Sequence, residues 1–176
     1  MKKFLPLVLL LISSIFIFSC KDDDDDNRVD NDTYSVVYDY SPASLTYNPD
    51  DGWNYFRTLP VTMFNTDVML IYMQTDTTTS GSPVWTALPA KFNPIINGVT
   101  QEVYYDFDFS ISDFKIYARG TFDLSTMAST YLNNKTFRVV LVPAGYGKSS
   151  VDPKTLTYDE VIAKYNIDDS KVKTLK

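Results

Sequence analysis

Glu102-Val103-Tyr104-Tyr105-Asp106-Phe107-Asp108-Phe109-Ser110-Ile111 alternates without a break. Val103, Tyr105, Phe107, Phe109 and Ile111 fall on one side of an extended chain. Glu102, Tyr104, Asp106, Asp108 and Ser110 fall on the other. Side chains of a strand point alternately to its two faces, so this stretch has one core face and one wet face. That is the pattern of an antiparallel sheet packed on one side. Ser112-Asp113 supplies a turn, and residues 114–121 return with Phe114, Ile116 and Ala118 inward.

Further strands read outward from this hairpin. In residues 34–40, Tyr34, Val36, Tyr38 and Tyr40 share a face. Residues 54–59 form a strand that Pro60 stops. Residues 68–73 are apolar on both faces, as in a central strand, and residues 84–88 make a shorter one. Residues 137–142 are another apolar strand, ended by Pro143. Leu124, Met127, Ala128 and Tyr131 follow helical spacing, as do Tyr158, Val161, Ile162 and Tyr165. The second of these helices opens with Thr157 and Glu160 at the spacing of a capping box, in which each satisfies the other's end of the helix. Loops are expected at 75–83, 89–100 and 144–154. The whole predicts a mainly β chain, an antiparallel β-sandwich or small open barrel with two short peripheral helices.

Composition excludes several chemistries. There is no histidine, and Cys20 is the one cysteine. Ser-His-Asp and Cys-His catalysis, zinc sites of His and Cys, and a disulfide within the chain are therefore ruled out. Carboxylate, hydroxyl, lysine and backbone chemistry remain. No cofactor is expected.

The N-terminus reads as an address. Lys2 and Lys3 precede an apolar run, Phe4 to Phe18, that is short of the roughly 20 residues needed to span a bilayer. Residues 1–19 are read as a signal peptide. Ile17-Phe18-Ser19-Cys20 resembles a bacterial lipobox, which implies cleavage before Cys20 and lipidation of its thiol. Several buried acyl chains anchor firmly where one holds marginally. Cys20-Lys21-Asp22-Asp23-Asp24 in turn resembles the export signal of surface lipoproteins in Bacteroidota. That resemblance implies transfer to the outer face of the outer membrane, with the periplasmic face as the alternative. Residues 20–33 are polar and mostly acidic, a tether that cannot bury enough surface to fold. Residues 34–176 then form a single β-rich domain.

The formal charge of the chain is −6. Within residues 34–176, 12 Lys and Arg stand against 15 Asp and Glu. The domain is thus mildly acidic and has no basic stripe, which argues against nucleic acid as a partner. The domain also resembles a group of small uncharacterised Bacteroidota lipoproteins across roughly 55–165. The shared features are Val84-Trp85-Thr86-Ala87-Leu88-Pro89, the Tyr/Phe-rich hairpin, and Phe137-Arg138-Val139-Val140-Leu141-Val142-Pro143. It implies no activity.

Candidate sites follow from the residue types that remain. Tyr104 and Tyr117 lie opposite the apolar faces of their strands. With Trp53, Tyr55 and Trp85 they could form an aromatic platform for a sugar or peptide. Asn48, Asp50 and Asp51, beside Gly52, offer oxygen ligands in a tight turn, the donor set of a calcium site as well as of a plain turn. Asp106 and Asp108, about 7 Å apart by strand geometry, could flank a glycosidic bond. Gly147-Lys148-Ser149 looks like the end of a phosphate loop but has Val142 where the first glycine is required. Asp76-Thr77-Thr78 resembles the O-glycosylation motif of Bacteroidota, with Thr77 as acceptor. Asn134-Lys135-Thr136 fits the eukaryotic sequon.

The leading expectation is a lipid-anchored, non-enzymatic interaction or accessory module. Its partner would be the membrane through Cys20, and beyond it a glycan, an envelope protein or a host surface. The alternatives are a small carboxylate-dependent glycan hydrolase and a purely structural envelope protein.

Overall fold

The computed structural model describes residues 35–143 and 152–176. In chain order the strands are β1 (Val36–Ala43), β2 (Thr46–Asn48), β3 (Gly52–Thr58), β4 (Val68–Thr77), β5 (Pro83–Ala87) and β6 (Ala90–Phe92). They continue as β7 (Ile95–Ile96), β8 (Val99–Thr100), β9 (Val103–Phe109), β10 (Asp113–Gly120), β11 (Lys135–Val142) and β12 (Lys173–Leu175). One α-helix, α1 (Tyr158–Lys164), is present among the described residues.

The first sheet has the order β12-β1-β11-β4-β5, and the second β2-β3-β10-β9-β6. All pairings are antiparallel except β12 on β1. The inner faces meet in one core. The first sheet contributes Tyr40, Met69, Ile71, Phe137 and Val139, and the second Tyr55, Val103, Tyr105, Phe114 and Ile116. The architecture is a β-sandwich and not a closed barrel. The alternation in 102–111 holds in the first part of β9, where Val103 and Tyr105 are buried and Tyr104 is exposed; Phe109 and Ile111, expected inward, are exposed beyond the edge of the core.

The double-sided strands have their own explanation. Leu70, Tyr72, Val140 and Val142 point away from the sandwich into a second core, closed by Tyr158, Val161, Tyr165 and Ile167. So α1 covers the outer face of the first sheet. Its capping box is formed: the Thr157 amide donates to Glu160 Oε2 at 2.8 Å, and the Glu160 amide to Thr157 Oγ1 at 3.4 Å. These bonds from Thr157 hold the Glu160 carboxyl below its usual pKa.

Arg138 sits inside this second layer, 7% exposed. Its guanidinium meets Asp39 with two bonds, Nε to Oδ1 at 2.7 Å and Nη2 to Oδ2 at 2.8 Å. It also donates to the Tyr158 hydroxyl, which donates to Asp169 Oδ2 at 2.6 Å. Trp85 stacks over it, 4.3 Å from ring centroid to Cζ. One side chain of β11 thus ties β1, β5, α1 and the segment after α1 together.

The predicted helix over 124–131 is replaced by two 3-10 turns, Leu124–Thr126 and Ser129–Tyr131, with Met127 extended between them at φ −73° and ψ 159°. Short polar side chains explain the change, because they offer the backbone local partners. Asp123 Oδ1 accepts from the Ser125 amide at 2.9 Å, and Thr126 Oγ1 donates to the Asp123 carbonyl at 2.7 Å. Leu124, Met127 and Leu132 are buried nonetheless, as part of the main core.

Two expected loops are partly strand. β4 runs through Thr77 and turns at 78–82, and residues 89–100 contain β6, β7 and β8. Of the loop expected at 144–154, residues 144–151 lie outside the described residues, and Pro153–Thr155 is a 3-10 turn. No helix among the described residues is long and apolar enough to cross a membrane.

Candidate functional site

The outer face of the second sheet collects most of the candidate residues. Register sets the array: Lys115 lies opposite Asp108 and Phe56, Tyr117 opposite Asp106 and Asn54, and Tyr104 opposite Arg119 and Lys91. Lys91 pairs with Glu102, which also accepts from the Tyr104 hydroxyl. Those two bonds, Lys91 first, hold the Glu102 carboxyl below its usual range. Arg119 pairs with Asp106, and Lys115 with Asp51 at 2.7 Å.

Tyr117 is placed differently from expectation. Alternation does turn it toward the wet face, but it is 8% exposed. Arg119 and Lys115 lie over its ring at 4.7 and 5.8 Å from the centroid, and its hydroxyl donates to Asp108 at 2.5 Å. The long basic side chains thus cover the ring they flank. Tyr104 stays exposed, with the Lys91 ammonium 5.6 Å from its ring centroid. The aromatic platform is not assembled as one surface. Trp53 packs against the main core beside Tyr47, Tyr55 is buried in that core, and Trp85 packs into the second core over Arg138 and Tyr158.

Asp106 and Asp108 are both engaged, one by Arg119 and one by Tyr117. Burial, the largest cause, raises the Asp106 pKa, and nearby Asp108 adds to it while Arg119 opposes it. A raised folded pKa means stability that is complete below the unfolded value and lost as pH rises through the folded one. Asp106→Asn is therefore expected to leave stability at pH 7 unchanged or slightly higher, since exposed Arg119 loses little when freed. The difference from the wild type should shrink in acid. Urea unfolding at pH 7 and pH 3.5 checks this, and a clear loss at pH 7 would contradict it.

Asn48, Asp50 and Asp51 form the turn of the β2–β3 hairpin. Asn48 Oδ1 accepts from the Asp50 amide at 2.9 Å, Asp51 is committed to Lys115, and Gly52 takes φ +74°. Among the described residues no group of three or more acidic or sulfur ligands gathers for a metal.

Thr77 is exposed at the end of β4 rather than on a loop, with its hydroxyl 3.2 Å from Gln74 Nε2. Asn134 is a turn residue at φ +54° just before β11. Cys20, Lys21, Asp22, Asp23 and Asp24, and the Gly147-Lys148-Ser149 motif, lie outside the described residues.

Two openings were not foreseen. A cavity of about 370 Å³ is lined by Leu70 and Tyr72 of β4, Leu88, Phe107 and Phe109 of β9, and Leu156, with Asp108 and Lys154 also on its wall. A polar cleft of about 300 Å³ lies between Gln74–Thr77 and Asn134–Thr136. No protein-family model, curated protein or solved structure matches the chain.

Proposed function

We propose that the protein is a lipid-anchored interaction module of the outer membrane, displayed at the cell surface, that binds partners rather than transforming them. The observation that carries this reading is the unequal covering of the two sheets. The first sheet's outer face packs against α1 and the residues that flank it, with a cavity beside Leu70 and Tyr72. On the second sheet's outer face Phe56, Tyr104 and Arg119 remain exposed among paired charges and hydroxyls. Such a mixture of ring faces and hydrogen-bonding groups suits a partly wet protein or glycan interface. A carboxylate hydrolase needs one free acid and one free base or nucleophile. Here Asp106 and Asp108 are tied to neighbours in the same sheet.

The anchor and display rest on the lipobox at Cys20 and the acidic run that follows it. Protease shaving of intact cells tests both. The wild type is expected to be cleaved, and a variant with Asp22–Asp26 all changed to alanine is expected to be protected. Protection of the wild type, with cleavage after lysis, would instead place the module on the periplasmic side.

A further inference from the structure

Two neighbouring strands of the first sheet separate at one end. The β4–β11 ladder reaches Phe137 opposite Met73. Beyond that point the strands keep other company: Lys135 pairs with Ala43 of β1, while Asp76 and Thr77 pair with Val84 and Pro83 of β5. Both outer ladders shift register here, β1 between Tyr40 and Ala43 and β4 between Gln74 and Asp76. Such bulges bend a strand, re-aim its side chains and are over-represented beside functional sites. The result is the polar cleft, a wedge inside a sheet whose other inter-strand space is filled by hydrogen bonds.

The chemistry of the wedge is selective. Every side chain of Gln74–Thr77 and Asn134–Thr136 is polar. Lys135 is half-buried and has no carboxylate within ion-pair distance among the described residues; its ammonium lies 5.9 Å from the Tyr131 ring centroid. Burial holds its pKa below that of an ordinary lysine. A cation in that position gains from an anion that replaces lost water. Asp76 in the same wedge disfavours a densely charged anion such as phosphate. One Asp76 oxygen is held by the Thr77 amide at 2.7 Å and the Gln74 amide donates to the Thr77 hydroxyl at 3.2 Å, which leaves the second Asp76 oxygen to accept from hydroxyls and the Asn134 amide to donate and accept.

We propose that this wedge binds a carboxylate-bearing sugar residue of a glycan, with Lys135 seating the carboxylate and Asp76 and Asn134 holding the hydroxyls. The wedge is on the other sheet from the face used above, so this inference goes beyond the interaction reading and can fail without it. A failed sugar titration leaves the shaving result untouched.

The test is calorimetric titration of the full-length protein in detergent micelles. Glucuronic acid, a galacturonic acid trimer and N-acetylneuraminic acid are compared with glucose and acetate. Saturable binding of at least one acidic sugar is expected, with glucose and acetate at least tenfold weaker. Lys135→Gln should weaken binding at least tenfold with an unchanged unfolding midpoint, and Lys135→Arg should retain most of it. If Lys135→Gln unfolds, Asn134→Asp is the second variant: it adds a repelling carboxylate at an exposed, already left-handed position and should weaken binding as much. Binding should also fade as pH rises, at a pH below the ordinary lysine range. No saturable binding of any acidic sugar, equal affinity for acetate, or full affinity in both Lys135→Gln and Asn134→Asp would overturn the proposal.

Discussion

Arg138→Ala is expected to lower the unfolding free energy by about 3–5 kcal/mol, the range for breaking a buried ion pair from one side. The loss is not the value of the pair itself. Asp39, with 15% of its side chain exposed, would keep its charge without a counter-ion, and Tyr158 and Trp85 would lose the cation they surround. Replacing the pair by apolar residues of similar volume is a separate case, and can be neutral. Arg138→Met with Asp39→Leu should therefore recover much of what Arg138→Ala loses. Urea unfolding of the three proteins decides the matter. A loss under about 1 kcal/mol in Arg138→Ala would mean that water already serves Asp39.

Phe137→Ala is expected to cost a similar amount, about 3–5 kcal/mol, by a different route. Phe137 is fully buried and faces the main core, its ring 6.1 Å from that of Tyr55. Truncation leaves a cavity between two sheets that cannot close on it without moving their ladders. The two substitutions sit side by side on β11 yet address opposite layers. The two tryptophans report on them separately, because Trp53 packs on the main core and Trp85 on the second. In Trp53→Phe and Trp85→Phe backgrounds, Arg138→Ala should change the Trp85 emission of the folded protein and leave that of Trp53 alone. Equal changes at both would show that the layers are not distinct.

How much of this was readable in advance depends on the range of the cause. β9 was legible because its alternation reports one buried face and one wet face, a local property. The capping box of α1 was legible for the same reason. The double-sided apolarity of residues 68–73 marked a central strand correctly, and its cause is the second core. Asn97-Gly98 carries a two-residue hairpin signal, and the structure uses it at φ +52° and +80° between β7 and β8. Its flanking strands are only two residues each, too short to show a periodicity of their own. Ser125, Thr126, Ser129 and Thr130 likewise warned against a continuous helix where apolar spacing favoured one.

Other features had no local trace. Arg138 meets Asp39 across 99 positions of sequence, and in the strand it looks like an isolated polar residue. Tyr117 lies toward the wet face as its parity requires, but the fold of Lys115 and Arg119 over its ring is a matter of side-chain length. The wedge depends on where the ladder between residues 73 and 137 stops, which neither strand encodes alone.

The course of β1 has a mechanical consequence. The chain enters the domain at the end of β1 where Val36 faces Leu141, and the wedge lies at the far end, where Ala43 faces Lys135. At about 3.3 Å per residue the two points are roughly 23 Å apart along the strand. With the proposed tether at the N-terminus and the proposed cargo in the wedge, tension would run parallel to β1 and β11. The rungs joining those strands would then be sheared together rather than peeled off one by one, the arrangement that lets a short ladder resist a sudden pull.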